Sequence, residues 1–266
     1  MTSDLLFDYA VPQPPYPFGT IKANIGDILN QGAELALRFA AIERDDFGLT
    51  LAGNITTNRT EVKELNGSLD NGIPLETNYV VWGSGGTTGV ASTNNAISHL
   101  IIGQQLGTFY LFKHAGIDGN GNQIIDDLNN DGTISDGNRE NPDRYIAGQA
   151  LPKFTWGFTP SARYKNFDMA MVLRGAHGHK VYNARRALMS TLSQLGQINV
   201  LESAIDLGLN NITYASDLFL EDGGFARLEN LTIGYNFNTA NWGAIKNLRV
   251  SVTGNNLFVI TDYSGI

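Results

Sequence analysis

"FTWGFTPSARYKNFDMAMVLR", from Phe154 to Arg174, decides the fold. Phe154, Trp156, Phe158 and Ala162 alternate with Thr155, Gly157, Thr159, Ser161 and Arg163. After a tight turn at Lys165 and Asn166, Phe167, Met169, Met171 and Leu173 alternate with Asp168, Ala170, Val172 and Arg174. A period of two sends successive side chains to opposite faces of a strand. The stretch therefore reads as two strands, each with one apolar face and one small or polar face.

The same pattern recurs on both sides. Leu35, Leu37 and Phe39 alternate with Glu34, Ala36 and Arg38, and Phe47, Leu49, Leu51 and Ile55 with Gly48, Thr50, Ala52 and Asn54. Downstream, Leu231, Ile233, Tyr235 and Phe237 form one apolar row, and Leu248, Val250 and Val252 another. Such strands suit a soluble antiparallel sandwich, with the apolar face in its core. They equally suit a transmembrane β-barrel, with that face toward lipid. The connections separate the two. Tight turns near Arg44 to Asp46 and at Lys165 to Asn166, and a modest one from Thr239 to Lys246, alternate with long connections from Arg59 to Lys153 and from Gly178 to Gly224. Outer-membrane barrels pair short periplasmic turns with long external loops in this way, whereas a sandwich has no such requirement. The expected fold class is all-β, a portion of an antiparallel transmembrane barrel with long external loops. The first long connection has room for an even number of further strands, one around Leu106 to Lys113. Helical spacing of Leu188, Leu192 and Leu195 predicts a helix folded into the second, within Asn183 to Leu207.

Composition agrees. The 266 residues are 42% apolar but only 17% charged, below the roughly 25% of average soluble proteins. A net charge of -8 argues against nucleic-acid binding, which needs a basic stripe. With no cysteine there is neither a disulfide scaffold nor a Cys-ligated zinc site. No apolar run is long enough for a transmembrane helix. Met1 is not followed by the charged and apolar regions of a signal peptide. Either the protein stays in the cell or the chain is a piece of something longer.

Few stretches suggest chemistry. "GSGGTTG" (Gly83 to Gly89) lacks the Lys-Ser/Thr of a phosphate loop. His177 and His179 would share a strand face but have no evident third ligand, which favours a rim facing water over a metal site. Glu221 and Asp222 read as a solvated loop end, not a catalytic pair. Asn-x-Ser/Thr sequons at Asn54, Asn58, Asn66, Asn211 and Asn230 are what an Asn-rich chain produces by chance. No nucleophile elbow or Ser-His-Asp arrangement is readable, so no enzyme is expected.

"DDLNNDGTIS" (Asp126 to Ser135) is the exception. Against the template of a calcium loop, Asp127, Asn129 and Asp131 supply side-chain oxygens, Gly132 allows the turn and Thr133 offers its carbonyl. Asn138 stands where a strong site needs a bidentate carboxylate. Calcium is thus the one candidate cofactor, at roughly millimolar affinity. The competing reading is a surface turn, because Asp, Asn and Gly favour turns without any ion.

Five stretches, in order, resemble the SusC/RagA-like TonB-dependent outer-membrane transporters of Bacteroidetes. They are "NIGDILNQGAEL" (Asn24 to Leu35), "LGTFYLFKHAGID" (Leu106 to Asp118), "IAGQALPKFTWGF" (Ile146 to Phe158), "EDGGFARLENLTIGYNF" (Glu221 to Phe237) and "LRVSVTGNNLFVITDYSG" (Leu248 to Gly265). The resemblance implies that residues 1–266 are the C-terminal part of a 22-stranded barrel, with the plug, the signal peptide and a final strand outside the chain. It implies uptake of a glycan, peptide or similar oligomer across the cell outer membrane. Implied partners are TonB, reached through the N-terminal region, a SusD-like surface lipoprotein, and membrane lipid. Asp-rich segments like that at Asp126 occur at this place in the family, which makes the stretch an external loop. From another class, the alternative is a secreted, calcium-stabilised β-sandwich that binds carbohydrate.

Overall fold

The computed structural model describes residues 2–10, 17, 20–65, 67–68, 74–75, 79–84, 96–135 and 143–265. In chain order its strands begin with β1 (Thr2–Ala10), β2 (Thr20–Glu43) and β3 (Phe47–Glu64). The first long connection holds β4 (Gly67–Ser68), β5 (Pro74–Leu75), β6 (Tyr79–Ser84), β7 (Ala96–Ile101), β8 (Thr108–Phe112), β9 (His114–Ile117), β10 (Gln123–Ile125) and β11 (Arg144–Gln149). Next come β12 (Phe154–Tyr164) and β13 (Phe167–His177). The second long connection holds β14 (Lys180–Tyr182), helices α1 (Ala184–Met189) and α2 (Ser203–Leu207), and β15 (Leu220–Asp222). The chain closes with β16 (Phe225–Phe237) and β17 (Leu248–Thr261).

One antiparallel sheet of seven strands, ordered β1-β2-β3-β12-β13-β16-β17, contains all six strands expected from periodicity. It adds β1, where neighbouring Leu5, Leu6 and Phe7 break the period-two signal. Register carries the apolar faces into common rows. Leu37 pairs with Gly53, Gly53 with Phe158, and Phe158 with Leu173. Met169 pairs with Ile233, and Ile233 with Val252. Pro160 has no N–H to give. The β12–β13 ladder accordingly breaks after Phe158↔Leu173 and resumes at Ser161↔Ala170.

The apolar rows are bare. Leu37, Phe39, Phe167 and Val250 are all more than half exposed, and Val252 is 75% exposed. A sandwich core would bury them, and among the described residues no second sheet lies on this face. The sandwich alternative is therefore excluded for the sheet. From Phe154 to Tyr164 the row on β12 spans about 34 Å at about 3.4 Å per residue. At the roughly 40° tilt of barrel strands this projects to about 26 Å, the height of an outer-membrane apolar band. Past Ile55 the same row on β3 turns polar, with Arg59 and Lys63 both paired to Glu61. At the other edge Tyr164, Phe167, Tyr235 and Phe237 form an aromatic girdle. No helix of the described residues is long and apolar enough to cross a membrane.

The packed core lies elsewhere. Phe112, Phe219, Leu100, Leu111 and Leu209 are fully buried, and all belong to the long connections. Strands β6, β7, β8 and β11 form their own sheet, and β9 pairs with β10. The extra strands thus leave the parity of the large sheet intact, because β3 pairs directly with β12. Phe109 and Leu111 of β8 pack with Tyr182, Ala187, Leu209, Ile212, Ala215 and Phe219 of the second connection. The two connections fold together as a cap. The single helix expected within Asn183 to Leu207 is instead α1, one 3-10 turn (Leu192–Gln194) and α2. Thr191 is extended, and Gly196 adopts φ 93, so Leu188, Leu192 and Leu195 never share one helical stripe. Of Gly83 to Gly89, only Gly83 and Ser84 fall among the described residues, at the end of β6.

Candidate functional site

The candidate functional surfaces are the polar face of the sheet and the cap. Mid-height, the polar face carries hydroxyls and amides. Thr232 and Thr253 share a hydrogen bond of 2.9 Å, and Asn230 donates to Asn255 at 2.8 Å. Thr50, Thr159, Ser161 and Ser251 continue this band. Exposed Arg38 stands at mid-height on this face, paired in register with Ala52, while the ion pairs on β13, β16 and β17 lie toward the two ends. Near the tight turns Arg249 grips Asp168 with two nitrogens, at 3.0 and 2.5 Å, and Asn236 donates to the same carboxylate at 2.9 Å. Arg249 reaches across β16 because Gly234 has no side chain to stand in its way. At the opposite end Arg174 meets Glu229 at 2.8 Å. This wall offers mostly hydroxyl and amide groups to hydrated material, and among the described residues of the sheet no nucleophile–base pair is formed.

Asp217 knits the cap. Its carboxylate accepts from the His114 N–H at 2.8 Å and from the Tyr145 hydroxyl at 2.6 Å, joining the second long connection to the first. Burial first, then this hydrogen bond, push the Tyr145 pKa up to about 12. Burial lowers the pKa of His114, against the opposing pull of Asp217. Gln123 donates to Ser216, and the Phe112 N–H to the Ala215 carbonyl at 3.1 Å. Arg144, buried within the cap at the start of β11, donates to the carbonyls of Ala96 and Tyr110 and stacks on Phe112.

Glu221 is a second hub, not the solvated loop end that its neighbourhood of acids suggests. It accepts from the Ser264 N–H at 2.8 Å, from the Ser264 hydroxyl, from Arg186 at 2.8 Å and from Asn183 at 3.2 Å. Burial works to raise its pKa, but these four donors outweigh burial and hold the carboxyl low. Asn183 also caps α1 by accepting from the Arg186 N–H. The chain after β17 is thereby fastened to the cap. Asp222 is turned onto the Gly224 N–H and Lys180, which lower its pKa.

His177 ends β13 with its ring tilted against Phe154, while His179 stands beyond the strand beside Gly223. Burial lowers the His179 pKa. Among the described residues no group of three or more His, Cys, Asp or Glu side chains is placed to hold a metal.

The acidic loop uses its oxygens on itself. Asp127 accepts from the N–H groups of Asn130 at 2.7 Å and Gly132 at 2.8 Å. Asn129 accepts from Asp131 N–H, and Asp131 from Thr133 N–H, both at 2.8 Å. Asn130 and Gly132 take the left-handed conformation the turns require, φ 60 and 81. From outside the motif, fully buried Asp143 accepts from the N–H groups of Leu128 and Ser135 and pins both ends. These bonds account for Asp127, Asn129 and Asp131 as turn formers. Asn138 lies outside the described residues. Asp217 and Glu221 carry no sequence signal, since their partners come from distant segments, and Asp143 lies outside the motif whose ends it pins.

No protein-family model matches the chain. Curated relatives do. The TonB-dependent receptor SusC of Bacteroides thetaiotaomicron is 30% identical over 279 residues, covering all of this chain and 26% of that protein. A TonB-dependent receptor of Formosa agariphila is 26% identical, over 99% of this chain and 27% of its own length. The chain thus spans about a quarter of the curated relatives it matches. Among solved structures, that of the RagAB peptide transporter superposes with a TM-score of 0.71 at 21% identity, over 99% of this chain and 29% of its own. These proteins are named receptors and transporters, not enzymes. With the bare apolar band, they place this all-β chain in the cell outer membrane, as a stretch of barrel wall.

Proposed function

Because the chain is SusC/RagA-like over its whole length, we propose that the complete protein is a TonB-dependent importer of an oligomeric nutrient, a glycan, a peptide or a similar chain. The observation that carries the reading is the split character of the sheet. One face is bare and apolar over a membrane-high band, the other is hydroxyl- and amide-lined, and a folded cap stands on the long-connection end. The apolar face holds the wall in lipid. The polar face, lined mostly by hydroxyls and amides, gives hydrated cargo hydrogen-bonding partners. The cap stands where cargo arrives and suits a SusD-like surface lipoprotein as partner, with TonB supplying energy from the other side.

Deletion of the complete gene, followed by growth and uptake assays on labelled oligosaccharides and oligopeptides, tests this. Uptake of one oligomer class should fall, while its monomers enter normally. Loss of TonB should reproduce the defect, and the intact gene should restore uptake. Uptake of every oligomer that is indifferent to both lesions would refute the reading.

A further inference from the structure

The turn between β16 and β17 is unlike the other two. Arg44 to Asp46 and Lys165 to Asn166 put polar groups at their tips. The longer turn instead presents Trp242 and Ile245, 46% and 47% exposed, followed by Lys246. Its shape is defined. The Trp242 N–H donates to the Thr239 carbonyl at 3.0 Å, the Thr239 hydroxyl donates to the Lys246 carbonyl at 2.6 Å, and Gly243 takes φ 60. Nor is Trp242 an isolated ring. Ring contacts run from Phe167 to Tyr235 at 4.7 Å, on to Phe237 at 4.8 Å, and from Phe237 to Trp242 at 6.1 Å. The first three rings belong to the lipid-facing rows. The apolar surface therefore continues off the strand ends into the turn.

We propose that the turn from Thr239 to Lys246 is a membrane-interface anchor. Trp242 and Ile245 enter the boundary between headgroups and acyl chains in the leaflet at the tight-turn end, and Lys246 meets a phospholipid phosphate. Lipid is the occupant because the patch is continuous with the membrane face and repeats the chemistry of that layer. An indole has an apolar body and a polar N–H, and a lysine stem can lie along apolar surface with its charge in the headgroups. The proposal rests on the lipid-facing sheet and is independent of what the barrel transports.

The test is tryptophan fluorescence of the full-length protein in phosphatidylcholine vesicles. Subtracting the signal of Trp242→Phe from that of the wild type isolates the emission of this one indole. The quenchers are phosphatidylcholine brominated near the headgroup, the same lipid brominated near the chain end, and acrylamide in the buffer. Stronger quenching by the shallow bromine than by the deep one, with shielding from acrylamide, is the expected result. Ile245→Asp should abolish the shallow quenching in a barrel that still folds. Strong acrylamide quenching without bromine quenching would place the turn in water and overturn the proposal. Quenching by none of the three would mean that protein covers the patch, which overturns it too. Shallow quenching unchanged by Ile245→Asp would remove Ile245 from the anchor.

Discussion

Leu231→Arg compared with Thr232→Arg puts the orientation of the sheet to a quantitative test. The two positions are adjacent on β16 and face opposite ways. Leu231 pairs with Met171 and Gly254 in an apolar row, while Thr232 bonds Thr253 on the polar face. Leu231 is four residues from Tyr235 of the aromatic girdle. That is about 14 Å along the strand at about 3.4 Å per residue. At a tilt of roughly 40° it becomes about 10 Å of depth, close to the midplane of a band about 25 Å high. Arginine there should cost about 2–4 kcal/mol, a loss of roughly 30- to 700-fold in the folded-to-unfolded ratio. Ile233 is only about 5 Å deep by the same reckoning, so Ile233→Arg should cost less. Thr232→Arg forfeits one cross-strand hydrogen bond and otherwise meets water or polar groups, for about 1 kcal/mol or less. The assay is folding of the full-length protein into lipid vesicles across a urea series, with the folded fraction read by heat-modifiable gel mobility. The expected order of damage is Leu231, then Ile233, then Thr232. Equal damage at positions 231 and 232, or the reverse order, would refute the lipid-facing assignment.

Acid should release the chain after β17 from the cap. Glu221 has a depressed pKa, so its contribution is complete above the ordinary carboxylate value of 4.5 and is lost as pH falls through the lower folded value. Protease cleavage after Thr261 should rise below that pH in the wild type and be pH-independent in Glu221→Gln. Tyr145 has the opposite sign. With its pKa raised to about 12, the phenol stabilises the cap fully below the free value of 10.0 and ceases to do so as pH climbs through the folded one. Tyr145→Phe should remove that alkaline sensitivity, seen as cap opening by hydrogen exchange. Asp217→Ala should strip two donors of their partner and cost about 1–3 kcal/mol, unfastening β9 and β11 from the second connection in the same exchange measurement. Asp143→Ala should expose residues 126–135 to proteolysis. The calcium expectation is checked on the same loop. Calcium should protect it, a chelator should undo the protection, and Asp127→Asn should abolish it. Identical cleavage in calcium and chelator would leave turn formation as its whole role.

Near-neighbour periodicity determined six of the seven strands of the sheet. Every period-two row from Leu35 to Val252 became a strand face, because the pleat converts sequence parity into side-chain direction without help from the rest of the chain. The tight turns and the acidic loop were legible for the same reason, since their bonds close within a few residues. Row spacing alone is the same for a core-facing and a lipid-facing row; the alternation of short and long connections pointed toward lipid, and the tertiary structure showed the rows bare. Only it showed that the two long connections share a core, and that Asp217 and Glu221 are their fasteners. The bond from His114 to Asp217 joins residues 103 apart, and that from Ser264 to Glu221 residues 43 apart. Contacts at such separations follow from how the chain returns on itself, and a pattern of adjacent residues contains no record of that return.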